Sequence, residues 1–194
     1  MRAGIDQASA RTKCESRKLC GMGVTQAETL ISAAAFRLLP DAPGKQELLE
    51  GELILLPPAK LSHSKIARAL LRVLTAVIEE SRVQIEAGYQ IIPETWLQPD
   101  VSVTWPDQPV RNDYLQGSPM IAIEIVSRGN TADEIDRKIA AYLHHGAAEV
   151  WIVYPRTRSL AVHKSGTVAK MTGTYISELV PAVVNVSDIL QNGL

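Results

Sequence analysis

Apolar residues along the chain recur with two different periods, which predicts a mixture of helices and strands. In the clearest helical stretch, Ile66, Leu70, Leu74 and Val77 form one stripe behind Ser62, a candidate N-cap. The segments with helical spacing are 25–39, 62–80 and 131–144.

Short apolar or alternating runs predict strands between and after these helices. Two of them, 120–126 and 149–154, are almost continuously apolar, as expected of strands buried on both faces. The other candidates are a hairpin around Glu50-Gly51 and the segments 82–86, 89–92, 99–105, 158–163, 168–171 and 181–190. Residues 106–119 are rich in turn-forming residues and are predicted to be a loop. The pattern predicts an α/β fold with a mixed β-sheet flanked by helices.

Composition places the chain among globular proteins. It has 194 residues, of which 46% are hydrophobic and 21% charged, which suits one domain and excludes a wholly disordered chain. Residues 1–24 are polar and without apolar periodicity, so we expect a disordered leader followed by a single domain over 25–194. Cys14 and Cys20 lie in that leader, which excludes a disulfide framework or a cysteine zinc site in the core.

Charge and hydropathy limit the kinds of partner that we expect this protein to bind. No stretch approaches the roughly 20 apolar residues that span a bilayer, and the leader lacks an apolar signal region, so we expect no membrane contact and a cytoplasmic location. The 20 Lys and Arg residues against 21 Asp and Glu residues give a net charge of -1, which is not the balance of a strongly basic nucleic-acid binder. Any DNA binding should be weak and local, at a patch formed by residues such as Arg128, Arg137 and Lys138.

One acidic residue contradicts its surroundings. Glu124 stands between Ile123 and Ile125 in the most apolar strand, where a carboxylate must be paired, protonated or bound to a cation. The preceding strand begins near Asp100, so neighbouring strands would bring two carboxylates to one end of a sheet, an arrangement that suits magnesium. Lys138 lies on or beside the buried stripe of the following helix and could reach such a site.

Each of these residues has a purely structural alternative. Asp100 follows Pro99 and could cap a turn, and Glu124 could belong to a buried structural ion pair. Lys138 stands four residues after Glu134, the spacing of an ordinary exposed helix pair. His63 could be an ordinary histidine at a helix start, and Glu50 and Glu52 could be solvated carboxylates of a turn.

Several segments, in order along the chain, carry a family resemblance. They are Glu47 to Leu53 (ELLEGEL), Ser62-His63, Leu97 to Val103 (LQPDVSV), Ile123 to Ser127 (IEIVS), Lys138 with Tyr142, and Glu149 to Val153 (EVWIV). This set resembles the Uma family of restriction-endonuclease-like proteins, within the PD-(D/E)xK nuclease superfamily, over roughly residues 25–190. The resemblance implies a restriction-endonuclease-like core and a metal-dependent endonuclease that hydrolyses DNA phosphodiester bonds, with Mg²⁺ or Mn²⁺ as cofactor and a homodimer as the assembly.

The resemblance also implies roles for individual residues. Asp100, Glu124 and the backbone carbonyl of Ile125 would be the metal ligands, and Lys138 would complete the catalytic set. Glu52 and His63 are further candidates, for a second ion, for orienting Lys138 or for contact with substrate phosphate.

One departure from the superfamily pattern leaves a second function open. The superfamily's lysine normally stands two residues after the Glu, where this chain has Val126. The Uma pattern instead places a lysine on the following helix, and Lys138 matches it. The alternative is a catalytically degenerate protein that keeps the nuclease fold for binding or assembly.

Overall fold

The computed structural model describes residues 30–40 and 42–191, which form two six-stranded β-sheets, a two-stranded sheet and a small number of helices. The helices are α1 (Ala33–Phe36), α2 (Leu61–Thr75), α3 (Ala132–His144) and α4 (Val186–Gln191), with a 3-10 turn at Glu80–Arg82. The strands are β1 (Lys45–Leu49), β2 (Glu52–Leu56), β3 (Val83–Ile85), β4 (Tyr89–Ile92), β5 (Thr95–Leu97), β6 (Val101–Val103), β7 (Val110–Arg111), β8 (Tyr114–Gln116), β9 (Ile121–Ile125), β10 (Glu149–Tyr154), β11 (Ser159–Lys164), β12 (Thr167–Met171), β13 (Thr174–Ile176) and β14 (Val183–Asn185).

The predicted α/β class with a mixed sheet is confirmed, although the strands divide between two sheets. The first sheet has the order β2-β1-β5-β4-β8-β7, and the second has the order β12-β11-β10-β9-β6-β3. In the second sheet β9 and β10 run parallel, joined through α3, whereas β6 and β9 are antiparallel. Parallel neighbours need a crossover connection, and α3 provides it.

Alternation along β9 decides which way its side chains face. Ile121, Ile123 and Ile125 belong to a core that also contains buried residues of α2, α4 and β14. Ala122 belongs to a second core with α3 and with residues of the first sheet. Because successive side chains of a strand point to opposite faces, Glu124 faces the second core, between α3 and the first sheet.

The predicted helices differ from the observed ones mainly at their ends. The N-cap position of α2 is Lys60 rather than Ser62, and the helix ends at Thr75 rather than near Glu80. The amide of Val77 donates to the Leu74 carbonyl over 3.1 Å, and this i to i+3 bond tightens the final turn. Val77 is consequently 42% exposed instead of extending the buried stripe.

The first predicted helix is shorter in the described chain. Of the expected segment 25–39, only Ala33–Phe36 is helical, and the Ser32 hydroxyl caps it by accepting from the Ala35 amide at 3.1 Å. The remainder of that prediction up to residue 29 lies outside the described residues, as does the predicted leader 1–24.

The loop prediction for 106–119 is wrong in part, because β7 and β8 form a small hairpin there. Asn112 and Asp113 both adopt positive φ angles, 51° and 65°, which suits a tight hairpin turn. Polar turn residues thus mark the tip of a hairpin rather than a structureless segment. No helix of the described chain is long and apolar enough to span a membrane.

Candidate active site

Asp100 and Glu124 lie at the same end of two neighbouring strands. β6 and β9 pair antiparallel with Val101 opposite Ile123. This pairing brings Asp100, the residue before β6, close to the C-terminal end of β9. The Ile125 amide donates to Oδ2 of Asp100 over 2.7 Å. Both carboxylates are buried, with 4% of Asp100 and 9% of Glu124 exposed. The carboxylates of Asp100 and Glu124 are therefore adjacent, as expected if these two strands pair.

The ammonium of Lys138 reaches the same place from α3. Its side chain is buried, and Nζ pairs with Oε2 of Glu47 and lies 3.7 Å from Oε1 of Glu124. Glu134 instead accepts a hydrogen bond from the Asn130 amide group at 3.2 Å. Lys138 and Glu134 therefore do not form the exposed ion pair that their spacing on the helix would allow.

Glu47 is a member of this cluster that the sequence analysis did not single out. It is completely buried in β1, and its Oε1 accepts from the Gln98 amide over 2.8 Å. The available signal was the alternation of β1, which puts Glu47 on the same strand face as the buried Leu49. A strand of five residues gives only a weak pattern. The burial of Glu47 becomes understandable only once its partner Lys138, 91 positions further along the chain, is placed beside it.

Two further nitrogen-bearing side chains, those of Lys45 and His63, contact Asp100. Nζ of Lys45 lies 2.6 Å from Oδ1 of Asp100 and 2.8 Å from the Gln98 carbonyl oxygen. Nε2 of His63 lies 3.3 Å from the same Oδ1. Burial alone would raise the pKa of Asp100, but the hydrogen bond from His63 and the charge of Lys45 hold it well below its usual value.

The pKa of Glu124 is shifted in the opposite direction to that of Asp100. Burial raises its pKa to about 7, against the attraction of Lys138, and the neighbouring charges of Asp100 and Glu47 act in the same direction as burial. The Tyr142 hydroxyl donates to Oε1 of Glu124 over 3.0 Å. Three carboxylates therefore share a low-dielectric space, and one of them binds its proton near neutrality.

The donor set fits a hard divalent cation under one condition. Carboxylate and backbone carbonyl oxygens are the ligands Mg²⁺ prefers, and a dication would offset the mutual repulsion of the acidic groups. Among the described residues, however, no group of three or more His, Cys, Asp or Glu side chains is arranged to hold a metal ion. Oδ1 of Asp100 already contacts Lys45 and His63, so an ion would have to take the place of one of these contacts.

The remaining predicted residues are placed differently. His63 joins the cluster through Asp100, whereas Glu52 accepts from Arg137 over 2.5 Å and forms no ion pair with the cluster in the described part of the chain. Glu50 pairs with the same guanidinium at 3.2 Å. The proposed basic patch of Arg128, Arg137 and Lys138 does not form, because the last two residues are already engaged in ion pairs.

Comparisons with known proteins agree with this architecture. The crystal structure of "a putative nuclease belonging to DUF820" from Anabaena variabilis matches with a TM-score of 0.74 and 21% sequence identity, covering 84% of this chain and 99% of that one. This likeness shows a shared fold. No curated protein matches the chain. The sequence pattern of the Uma2 family, described as "Putative restriction endonuclease", matches residues 33–194, and because that match spans most of the chain, the protein belongs to the Uma2 family.

Proposed function

We propose that this protein is a metal-dependent endonuclease that hydrolyses DNA phosphodiester bonds. The observation that carries the proposal is the buried cluster of Asp100, Glu124 and Lys138, in which the ammonium lies 3.7 Å from a carboxylate whose pKa is raised to about 7. Burying three charged groups is costly, and such perturbed clusters concentrate at functional sites. Membership of the Uma2 family, described as "Putative restriction endonuclease", supports this class of reaction.

Each residue has a distinct role in this proposal. Mg²⁺ or Mn²⁺, held by Asp100, Glu124 and the Ile125 carbonyl, would supply Lewis-acid polarisation of the scissile phosphate. Tyr142 holds Glu124 through its 3.0 Å hydrogen bond, and Glu47 holds Lys138 so that the ammonium faces the carboxylates. From that position Lys138 can stabilise the negative charge that develops on the phosphate oxygens.

Cleavage of supercoiled plasmid DNA with Mg²⁺ or Mn²⁺ tests the proposal. Asp100→Asn and Glu124→Gln should each reduce the rate by about 100-fold or more, because each removes a charge from the reacting centre. Glu80→Gln, an exposed acidic residue of the 3-10 turn, should leave the rate unchanged. Cleavage by folded Glu124→Gln protein at the parental rate would refute the assignment.

A catalytically degenerate protein is the second candidate, and one feature favours it. Asp100 and Glu47 are already paired with Lys45 and Lys138, so the cluster forms an internal ion-pair network without a metal. Titration calorimetry with Mn²⁺ separates the two candidates. Heat of binding that Glu124→Gln abolishes supports the enzyme, whereas no binding by any variant supports the degenerate protein.

We also propose a homodimer, since two active centres are needed to cut both strands of a duplex in one encounter. The edge strand β12 is a candidate surface, because Val168 is 61% exposed and one side of this strand has no neighbour in its sheet. Sedimentation velocity at micromolar concentration should show a species of twice the chain mass. A monomer at all concentrations would contradict this proposal without affecting the assignment of the site.

A further inference from the structure

Lys45 occupies an unusual position for a lysine at the start of an edge hairpin. Its side chain is only 13% exposed, and it lies on the same face of β1 as Glu47, two residues further on. Nζ is held by a carboxylate oxygen of Asp100 at 2.6 Å and by the Gln98 carbonyl oxygen at 2.8 Å. The ammonium is therefore directed into the acidic cluster, although solvent lies close by.

The surroundings keep this group charged. Burial alone would lower the pKa of Lys45, but the carboxylates of Asp100, Glu124 and Glu47 together raise it above its ordinary value. The cluster thus contains three acidic side chains and two ammonium groups, those of Lys45 and Lys138. Lys45 neutralises the charge of Asp100, whereas Lys138 pairs with Glu47.

The atoms that hold Lys45 are also those that a metal would use. A carboxylate oxygen and a backbone carbonyl oxygen are ligands of hard cations, and Oδ1 belongs to the residue that the proposed function makes a metal ligand. We infer that Lys45 is a resident cation of the carboxylate cluster, which a divalent ion has to displace from Asp100 before it can bind. This inference rests on the proposed function for the identity of the metal ligand.

Displacement is feasible because of the chemistry of lysine. Its ammonium is a compact point charge on a flexible four-carbon chain, and it can leave Asp100 without any movement of β1. A dication and an ammonium cannot share one carboxylate oxygen closely, since their charges repel. Lys45 should therefore weaken metal binding and, in the absence of metal, stabilise the cluster.

Titration calorimetry with Mn²⁺ on Lys45→Met tests the inference, because methionine keeps the length of the side chain and removes its charge. We expect Mn²⁺ to bind this variant about tenfold or more tightly than the parent, with the same stoichiometry. Adding Asp100→Asn should abolish the gain. Lys65→Met, an exposed lysine of α2, is the matched control and should bind Mn²⁺ as the parent does.

A thermal readout provides a second test that does not depend on catalysis. In EDTA, Lys45→Met should melt below the parent, and saturating Mn²⁺ should raise its Tm by more than it raises that of the parent. If Lys45→Met is poorly folded in EDTA, Lys45→Gln, which is neutral but can still donate hydrogen bonds, takes its place in both measurements. Mn²⁺ affinity equal to or below that of the parent, or no binding by the neutral variants, would overturn the inference.

Failure of this inference and failure of the nuclease proposal give different results. Tighter Mn²⁺ binding by Lys45→Met together with no cleavage of DNA by the parent supports the resident cation and refutes the nuclease. Mg²⁺-dependent cleavage by the parent together with unchanged affinity of Lys45→Met refutes only the resident cation.

Discussion

At the scale of single residues, the pair formed by Lys138 and Glu47 should dominate the stability of the site. Both side chains are buried, so removing one charge leaves the other without compensation. We expect Lys138→Met to lower the free energy of unfolding by about 3–5 kcal/mol. Urea denaturation followed by circular dichroism measures this change.

The double variant Glu47→Leu with Lys138→Met is the informative comparison. It removes both charges, so it should recover a large part of the stability that the single change loses. A cost below about 1 kcal/mol for Lys138→Met alone, the value of an exposed pair, would show that this lysine is solvated in solution.

The sequence identifies some residues of the site and not others, for a physical reason. Glu124 is visible because a carboxylate inside an apolar strand is anomalous in any fold. Glu47 and Lys45 lie in a strand of five residues whose pattern is ambiguous, and their partners are far along the chain. Only the pairing of β1 with β5 shows that these side chains point toward Asp100.

At the scale of elements, Arg137 fastens the β1–β2 hairpin to α3. Its guanidinium binds Glu50 in the turn and Glu52 at the start of β2, and it donates to the Leu49 carbonyl over 3.3 Å. We expect Arg137→Ala to cost less than about 1 kcal/mol, because the contact is partly solvated, but to speed amide hydrogen exchange across the hairpin. Arg68→Ala, an exposed arginine of α2, should leave that exchange unchanged.

The elements predicted most accurately are those with strong local signals. β10 is found over the predicted residues, and α3 begins one residue after the predicted start, where the Thr131 hydroxyl caps it. The strands β5, β7 and β13 have two or three residues each, too few for a period to appear in the sequence. Their pairing depends on neighbours that are distant in the chain or on turn geometry.

A buried carboxylate also links the smallest sheet to the second six-stranded sheet. Glu149 of β10 accepts from Trp151 at 2.7 Å, Tyr175 at 2.9 Å and Ser177 at 3.1 Å. Glu149→Ala would leave the buried donors Trp151 and Ser177, and the half-buried Tyr175, without this acceptor, and we expect a loss of about 3 kcal/mol or more. Urea denaturation measures the loss, and Glu149→Gln, which keeps one acceptor oxygen, should lose less. Equal stability of Glu149→Ala and the parent would show that this link is not formed.

At the scale of the whole molecule, charge limits how the protein can hold DNA. The chain has a net charge of -1, and two of the three residues expected to form a basic patch, Arg137 and Lys138, are engaged with carboxylates, whereas Arg128 is exposed. Of the three residues expected to form the patch, only Arg128 is therefore free to neutralise a phosphate and release counterions.

The dependence of DNA affinity on salt should consequently be shallow. Each phosphate contact contributes about 0.9 to the slope of log K against log salt, so we expect a slope of magnitude below about 3 between 50 and 200 mM salt. Fluorescence anisotropy of a labelled duplex with the parent protein in EDTA measures this slope without metal-dependent cleavage. A magnitude of about 6 or more would require an extended basic surface, and DNA would then be held by charge across the molecule. A shallow slope would support the proposal that DNA is held for cleavage at the acidic cluster, through the proposed metal, rather than by charge across the molecule.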